Sequence, residues 1–166
     1  MRLILIFAVF MSCVLYAEQN DFAQPITIKS VTQFVDGLND VAVYKENVVI
    51  TQGSLKITAD EVRIDASAGD GNEVFIATGT PASFEQRSQD GSLVKASGNE
   101  IRYTRKDKKI NLSGSAQLAQ DSSTVSGENI IFDMLNEQLI ASGTDGDSGR
   151  VQAVFQAEKT PQKEEQ

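Results

Sequence analysis

The chain has 166 residues, with 15 basic against 23 acidic, a formal net charge of −8, and no histidine. Its length suits one domain, and its acidic balance excludes a nucleic-acid binder, which would carry a basic stripe. Without histidine it lacks the commonest general base and the commonest transition-metal ligand.

Arg2 precedes an uncharged apolar run over residues 3–14, and Ala17 follows. This is the layout of a secretory signal peptide, expected over residues 1–17 with cleavage near Ala17. The run falls short of the roughly 20 apolar residues that a membrane span needs. Cleavage there removes Cys13, the only cysteine, and with it any disulfide or thiol chemistry. It also removes Arg2, leaving 14 basic and 23 acidic residues, a net charge of −9. Residues 18–25 form a polar leader that ends in Pro25.

From Ile26 the pattern has period two, the signature of half-buried strands. Ile26-Thr27-Ile28 alternates, as do Val48 and Ile50 with their neighbours. Ile110, Leu112, Gly114, Ala116 and Leu118 fall on one face, and Asn111, Ser113, Ser115 and Gln117 on the other. Ile130, Phe132 and Met134 repeat the pattern, and so do Val151, Ala153 and Phe155. Turn signals separate the runs, among them Gln52-Gly53-Ser54, Gly79-Thr80-Pro81, Gln89-Asp90-Gly91-Ser92 and Lys106-Asp107-Lys108. The Gly37-Leu38-Asn39-Asp40 turn does not fix the register of the strand over residues 36–45. Nothing after residue 17 sustains helical spacing. One-sided alternation over so many strands requires a second layer. The expected fold is therefore all-β, two antiparallel sheets in a sandwich or compressed roll over residues 26–156. Residues 157–166 are polar and read as a disordered tail.

One phrase occurs three times: Ile57-Thr58-Ala59-Asp60-Glu61-Val62-Arg63-Ile64-Asp65, Ala96-Ser97-Gly98-Asn99-Glu100-Ile101-Arg102-Tyr103-Thr104, and Val125-Ser126-Gly127-Glu128-Asn129-Ile130-Ile131-Phe132-Asp133. Gly-ended strands accompany the copies, at Ala77-Thr78-Gly79, Leu112-Ser113-Gly114 and Ala141-Ser142-Gly143. A repeat of this size implies one supersecondary unit stacked on itself.

No catalytic motif is present. Asp60-Glu61 and Glu128-Asn129 are adjacent in strand-like sequence, so their side chains diverge and make poor acid–base pairs. Asp70, Asp90, Asp145 and Asp147 lack the spacing of a calcium loop with a closing Glu. No metal site, no cofactor and no enzymatic activity are expected. Arg102, Arg105, Lys106, Lys108 and Lys109 flank a predicted turn, as a solvated hairpin loop or as a contact for a phosphate or anionic head group.

The stretch Glu46-Asn47-Val48-Val49-Ile50-Thr51-Gln52-Gly53-Ser54-Leu55-Lys56-Ile57-Thr58-Ala59-Asp60 resembles the core motif of the OstA-like family of lipopolysaccharide transport proteins. The opening Gln24-Pro25-Ile26-Thr27-Ile28-Lys29-Ser30 is similar to the start of the mature domain in that family. Gly79-Thr80-Pro81-Ala82-Ser83-Phe84, Ala96-Ser97-Gly98-Asn99-Glu100-Ile101-Arg102-Tyr103 and residues 112–132 also match its pattern. The resemblance covers roughly residues 24–142.

The resemblance implies an elongated, V-shaped β-roll, or β-jellyroll, whose slot holds the acyl chains of lipopolysaccharide (its lipid A part). Copies would join head to tail and bridge an inner-membrane LptC-like protein to an outer-membrane LptD-like protein in the periplasm. Strand parity selects the inward candidates for lipid contact: Val48, Ile50, Ile57, Val62, Ile64, Ile76, Phe84, Ile101, Tyr103, Ile110, Leu112, Leu118, Ile130 and Phe132. The edge strands for self-association carry Ile26 and Ile28 at one end, and Val151, Ala153 and Phe155 at the other. Three other readings compete. One is an LptC-like sibling that keeps its membrane anchor. Another is an envelope scaffold with a closed aliphatic core. The third is a glycan-binding module, for which the aromatics are too few.

Overall fold

A computed structural model describes residues 20–156 apart from 145, 147 and 148. The expected signal peptide (1–17, with Cys13), leader residues 18 and 19, Asp145, Asp147 and the tail 157–166 lie outside the described residues. The described residues open with a 3-10 turn at Asp21–Ala23 and continue as ten strands. These are β1 (Thr27–Lys29), β2 (Thr32–Asp36), β3 (Val41–Gln52), β4 (Leu55–Asp65), β5 (Val74–Arg87), β6 (Leu93–Thr104), β7 (Lys109–Gln120), β8 (Ser123–Asp133), β9 (Gln138–Ser142) and β10 (Gln152–Phe155).

All ten belong to one hydrogen-bonded antiparallel sheet, in the order β1-β3-β4-β5-β6-β7-β8-β10. At one end β1 and β2 both pair with β3; at the other β9 and β10 both pair with β8. The six strands from β3 to β8 run 11 to 14 residues, about twice the usual length. One face of this sheet is sealed from water, with Leu55, Val62, Ile101, Ile110, Leu112 and Ile130 at 0% exposure. No helical layer exists among the described residues to cover it, so the sheet covers itself. The two layers expected from sequence are the two halves of the same strands.

The fold line lies where the ladder slips. Register shifts occur between Lys45 and Val48, Thr58 and Glu61, Thr78 and Ala82, Ser97 and Glu100, and Ser113 and Ala116. A bulge bends a strand, and a one-residue slip moves its side chains to the other face. On β4 the interior residues are Leu55 and Ile57 before the bend and Val62 after it; on β6 they are Val94 and Ala96, then Ile101 and Tyr103. Glu46 and Asn47 on β3, and Gly114 and Ser115 on β7, have positive φ. These pairs insert two residues at the bend, so Ile110, Leu112, Ala116 and Leu118 keep one parity.

The three repeat copies fall on alternate strands, β4, β6 and β8, and each straddles the bend. Their acidic or amide pairs sit at the turn-over.

The hairpins 36–40 and 133–137 use the same device. Asp36 accepts from the backbone N–H of Leu38 and Asn39 and from Asn39 Nδ2 at 2.7 Å. Asp133 accepts likewise from Leu135, Asn136 and Asn136 Nδ2 at 3.1 Å. Asp40 and Glu137 close the two turns at φ 52 and 51. This fixes the register that the sequence left open: Asp36 stands opposite Val41.

Candidate functional site

Folding along the bend brings both ends of each long strand to the mouth of a V. One lip carries the turns at 53–54, 88–92 and 121–122. The other carries those at 36–40, 66–73, 105–108 and 134–137. The lips are joined inside the mouth: Tyr103 Oη donates to Gln52 Oε1 at 3.2 Å, although their strands are not neighbours in the sheet. Burial pushes the Tyr103 phenol up to about 12.

Of the fourteen inward candidates, twelve are buried: Val48, Ile50, Ile57, Val62, Phe84, Ile101, Tyr103, Ile110, Leu112, Leu118, Ile130 and Phe132. Ile64 is half-buried against them. Ile76 is a correction. Its neighbours Phe75 and Ala77 are the buried residues of that half of β5, so Ile76 faces outward. It shares the parity of Phe84, but the bend between Thr78 and Ala82 reverses parity along the strand. Phe75, stacked on Tyr103 with ring centroids 5.7 Å apart, is the inward residue that parity from Phe84 missed.

The expected edge strands are the edges of the sheet, since β1 pairs only with β3 and β10 only with β8. Ile26 and Ile28 pack their side chains against the core, while the backbone of β1 forms the border. Phe155 is 76% exposed; Val151 and Ala153 are also exposed. The sequence missed two further edge strands, β2 and β9. They add Phe34, Val35 and Ile140 to the exposed apolar residues of the two borders.

The described part of the leader is not a free tail. The Phe22 side chain packs against the core, with Lys108 Nζ 5.2 Å from its ring centroid. Burial lowers the Lys108 ammonium, and Arg105 adds to this. Gln52, 1% exposed, donates through Nε2 to the carbonyls of Phe22 (3.3 Å) and Gln24 (3.1 Å). Gln52 was legible as inward, because it continues the Val48, Ile50 alternation; its place in a turn signal concealed it. Beside the leader a solvent-open cavity of about 420 Å³ lies between the lips. Phe22, Phe132, Met134 and Leu135 line it on the apolar side, and Ser54, Gln86 and Arg87 on the polar side.

The basic turn is largely tied down within its own lip. Arg105 holds Glu73 at 2.8 Å, and Lys109 holds Asp133 at 3.3 Å. Burial alone would raise the Glu73 carboxyl, but the backbone N–H groups of Glu73 and Gly71 and the Arg105 guanidinium hold it below its usual value.

A long apolar interior, open at a mouth and bordered by two unpaired edges, holds no nucleophile–base pair among the described residues. The class is the open, all-β antiparallel jellyroll. Residues 27–138 match the family model described as LptA/(LptD N-terminal domain) LPS transport protein, and the chain belongs to that family. It is 35% identical over 130 residues to the lipopolysaccharide export system protein LptA of Haemophilus influenzae, covering 77% of this chain and 76% of that protein. It is 33% identical over 131 residues to LptA of Escherichia coli K12, covering 78% and 70%. The crystal structure of LptH from Pseudomonas aeruginosa, the LptA-homologous periplasmic component of a lipopolysaccharide transport device, superposes with a TM-score of 0.74. That match has 31% identity and covers 82% of this chain and 99% of the other. The chain's role is in lipopolysaccharide transport.

Proposed function

We propose that this chain is a periplasmic carrier and bridge, exported by a signal peptide cleaved near Ala17. It would hold the acyl chains of lipopolysaccharide between the two halves of its sheet and pass the lipid along a head-to-tail row of copies. LptC-like and LptD-like proteins would anchor the row at the inner and outer membranes.

The observation that carries this reading is the continuity of the interior. Apolar side chains from every long strand form one continuous cluster, running from the β1/β2 border to the β9/β10 border, in this reading the slot that takes the acyl chains. Moving a methylene out of water is favourable by about 0.8 kcal/mol. A lipid with many methylenes therefore needs such a slot to cross an aqueous space, and alkyl contacts need no directional partners. Unpaired edge backbone at both ends invites strand addition, and a head-to-tail contact makes an open row rather than a closed ring.

A scaffold with a permanently closed core is the second reading, favoured by interior positions sealed to 0–1% exposure. The two readings separate by photocrosslinking to lipopolysaccharide from Leu112 (buried) and Asn111 (exposed), neighbours on β7. An adduct from position 112 and none from 111 is expected of the carrier. No adduct from Leu112, Ile57 or Phe132 in folded protein would leave the scaffold.

A further inference from the structure

We infer that the lip of the slot carries an anion-binding cradle, filled by Asp21 in the empty chain and by a phosphate of the cargo's head group in the loaded one. The inference rests on the carrier reading above and identifies how the head group would be held.

Three donors converge on the Asp21 carboxylate. The Ser54 N–H donates to Oδ1 at 2.7 Å, and Ser54 Oγ and Gln86 Nε2 (3.0 Å) donate to Oδ2. The donors are fixed by the sheet rather than by the leader. Ser54 lies in the β3–β4 turn, and Gln86 near the end of β5 is only 8% exposed. Ser54 Oγ also accepts from the Arg87 N–H at 3.1 Å, which leaves its own proton directed at the carboxylate. Gly53 has φ +59, and a Cβ there would lie 2.8 Å from Asp21 Cα. The missing side chain is what lets an anion come so close.

Asp21 itself arrives on a single 3-10 turn of three residues with exposed flanks. When that turn lifts, the buried Gln86 carboxamide loses its acceptor, which is costly unless another oxygen replaces it, and the exposed Ser54 N–H and Oγ are left open to an incoming anion. Arg87 lines the adjoining cavity, and among the described residues no carboxylate pairs with it. Phe132, Met134 and Leu135 form the apolar wall of the same cavity. The combination suits an amphiphile whose phosphate sits in the cradle while its first methylenes enter the slot. Carboxylate and phosphate oxygens present the same acceptor chemistry, so Asp21 serves as the internal competitor.

The test measures binding of diphosphorylated lipid A, its dephosphorylated counterpart and inorganic phosphate to the full chain and its Asp21→Ala variant. Asp21→Asn, which keeps the side-chain shape but removes the charge and turns one acceptor oxygen into a donor, replaces the alanine variant if that is poorly folded. Removing the competitor is expected to tighten diphosphorylated lipid A by about tenfold and leave the dephosphorylated lipid unchanged. Adding Ser54→Ala and Gln86→Leu to Asp21→Ala should abolish that gain. Equal tightening of both lipids would overturn the cradle and leave the leader a mere obstruction, and no tightening of either would also overturn it. Inorganic phosphate shifting the Ser54 and Gln86 amide resonances as strongly as the lipid would overturn the head-group assignment. If no form of the chain binds either lipid, the carrier reading itself fails.

Discussion

Tyr103 and Gln52 meet across the interior, 51 residues apart in sequence, with the phenol donating to the carboxamide oxygen at 3.2 Å. This contact ties one lip of the fold to the other, and Gln52 passes the tie on to the leader through the carbonyls of Phe22 and Gln24. Tyr103→Phe removes one donor and leaves a buried carboxamide oxygen unpaired, so a loss of about 1–3 kcal/mol is expected. Gln52→Leu strands the phenol and both carbonyls and should cost more. Urea unfolding of the two variants beside the parent checks the order; a neutral Gln52→Leu would refute the tie.

Stability should fall in strong alkali because of the same phenol. Its folded pKa is raised to about 12 by burial, above the ordinary value of 10.0. Between the two values the unfolded chain loses a proton that the folded chain keeps, so unfolding gains with rising pH. The stabilisation is whole below pH 10 and is lost as pH climbs through 12. Two units correspond to about 2–3 kcal/mol. Unfolding free energies at pH 9 and 11.5 should diverge for the parent and much less for Tyr103→Phe.

At the acid end the two matched hairpins predict the opposite sign. Asp36 is held below its ordinary value first by the Asn39 side chain, and Asp133 first by the Asn136 backbone N–H. Their contribution is present above the ordinary carboxylate range and is lost as pH falls through the lowered values. The double variant Asp36→Asn, Asp133→Asn should melt lower than the parent at pH 6, with the gap closing by pH 2–3. A constant gap across that range would remove these turns from the account.

Period-two alternation placed twelve of the fourteen interior candidates, because a half-buried strand must alternate. It failed at Ile76 for a reason the sequence carried in another form. The repeat, with its paired polar residues, marks where β4, β6 and β8 cross the fold line. Read as a bend, it says that parity measured on one side does not transfer to the other. Gln52 followed the alternation but was polar, so its burial depended on partners that only the folded mouth supplies: Tyr103, Phe22 and Gln24. The cradle at Ser54 and Gln86 was illegible for the same reason, since its members are 32 residues apart.

If copies add strand to strand, charge on either border should break the row without harming the fold. Phe34 on β2 and Phe155 on β10 are 63% and 76% exposed, at opposite ends of the sheet. Phe34→Asp and Phe155→Asp should each shift sedimentation toward the monomer at concentrations where the parent self-associates. Melting of the dilute protein should change by no more than about 0.5 kcal/mol, as for other surface changes. Two borders that can be charged with no effect on association would end the head-to-tail reading.

The fold line makes its own prediction, through a contrast between two glycines. Gly98 sits at the bend of β6 with a negative φ, so alanine is allowed there by the backbone alone. A Cβ, however, would meet the Ser113 carbonyl oxygen of β7 at 3.1 Å and that of Glu100 at 3.4 Å. Both are backbone atoms held in the ladder, so the strands must part slightly, at a cost of about 1–3 kcal/mol. Gly37 also avoids positive φ, and a Cβ there meets nothing within 4 Å. Gly37→Ala removes freedom from the unfolded chain alone and should be neutral or stabilising by about 0.4–1 kcal/mol. In thermal melts Gly98→Ala should therefore fall below the parent, and Gly37→Ala should match or exceed it. Gly98→Ala melting as high as Gly37→Ala would mean that the bend has slack, and that β6 and β7 are not held at the fold line by close backbone approach.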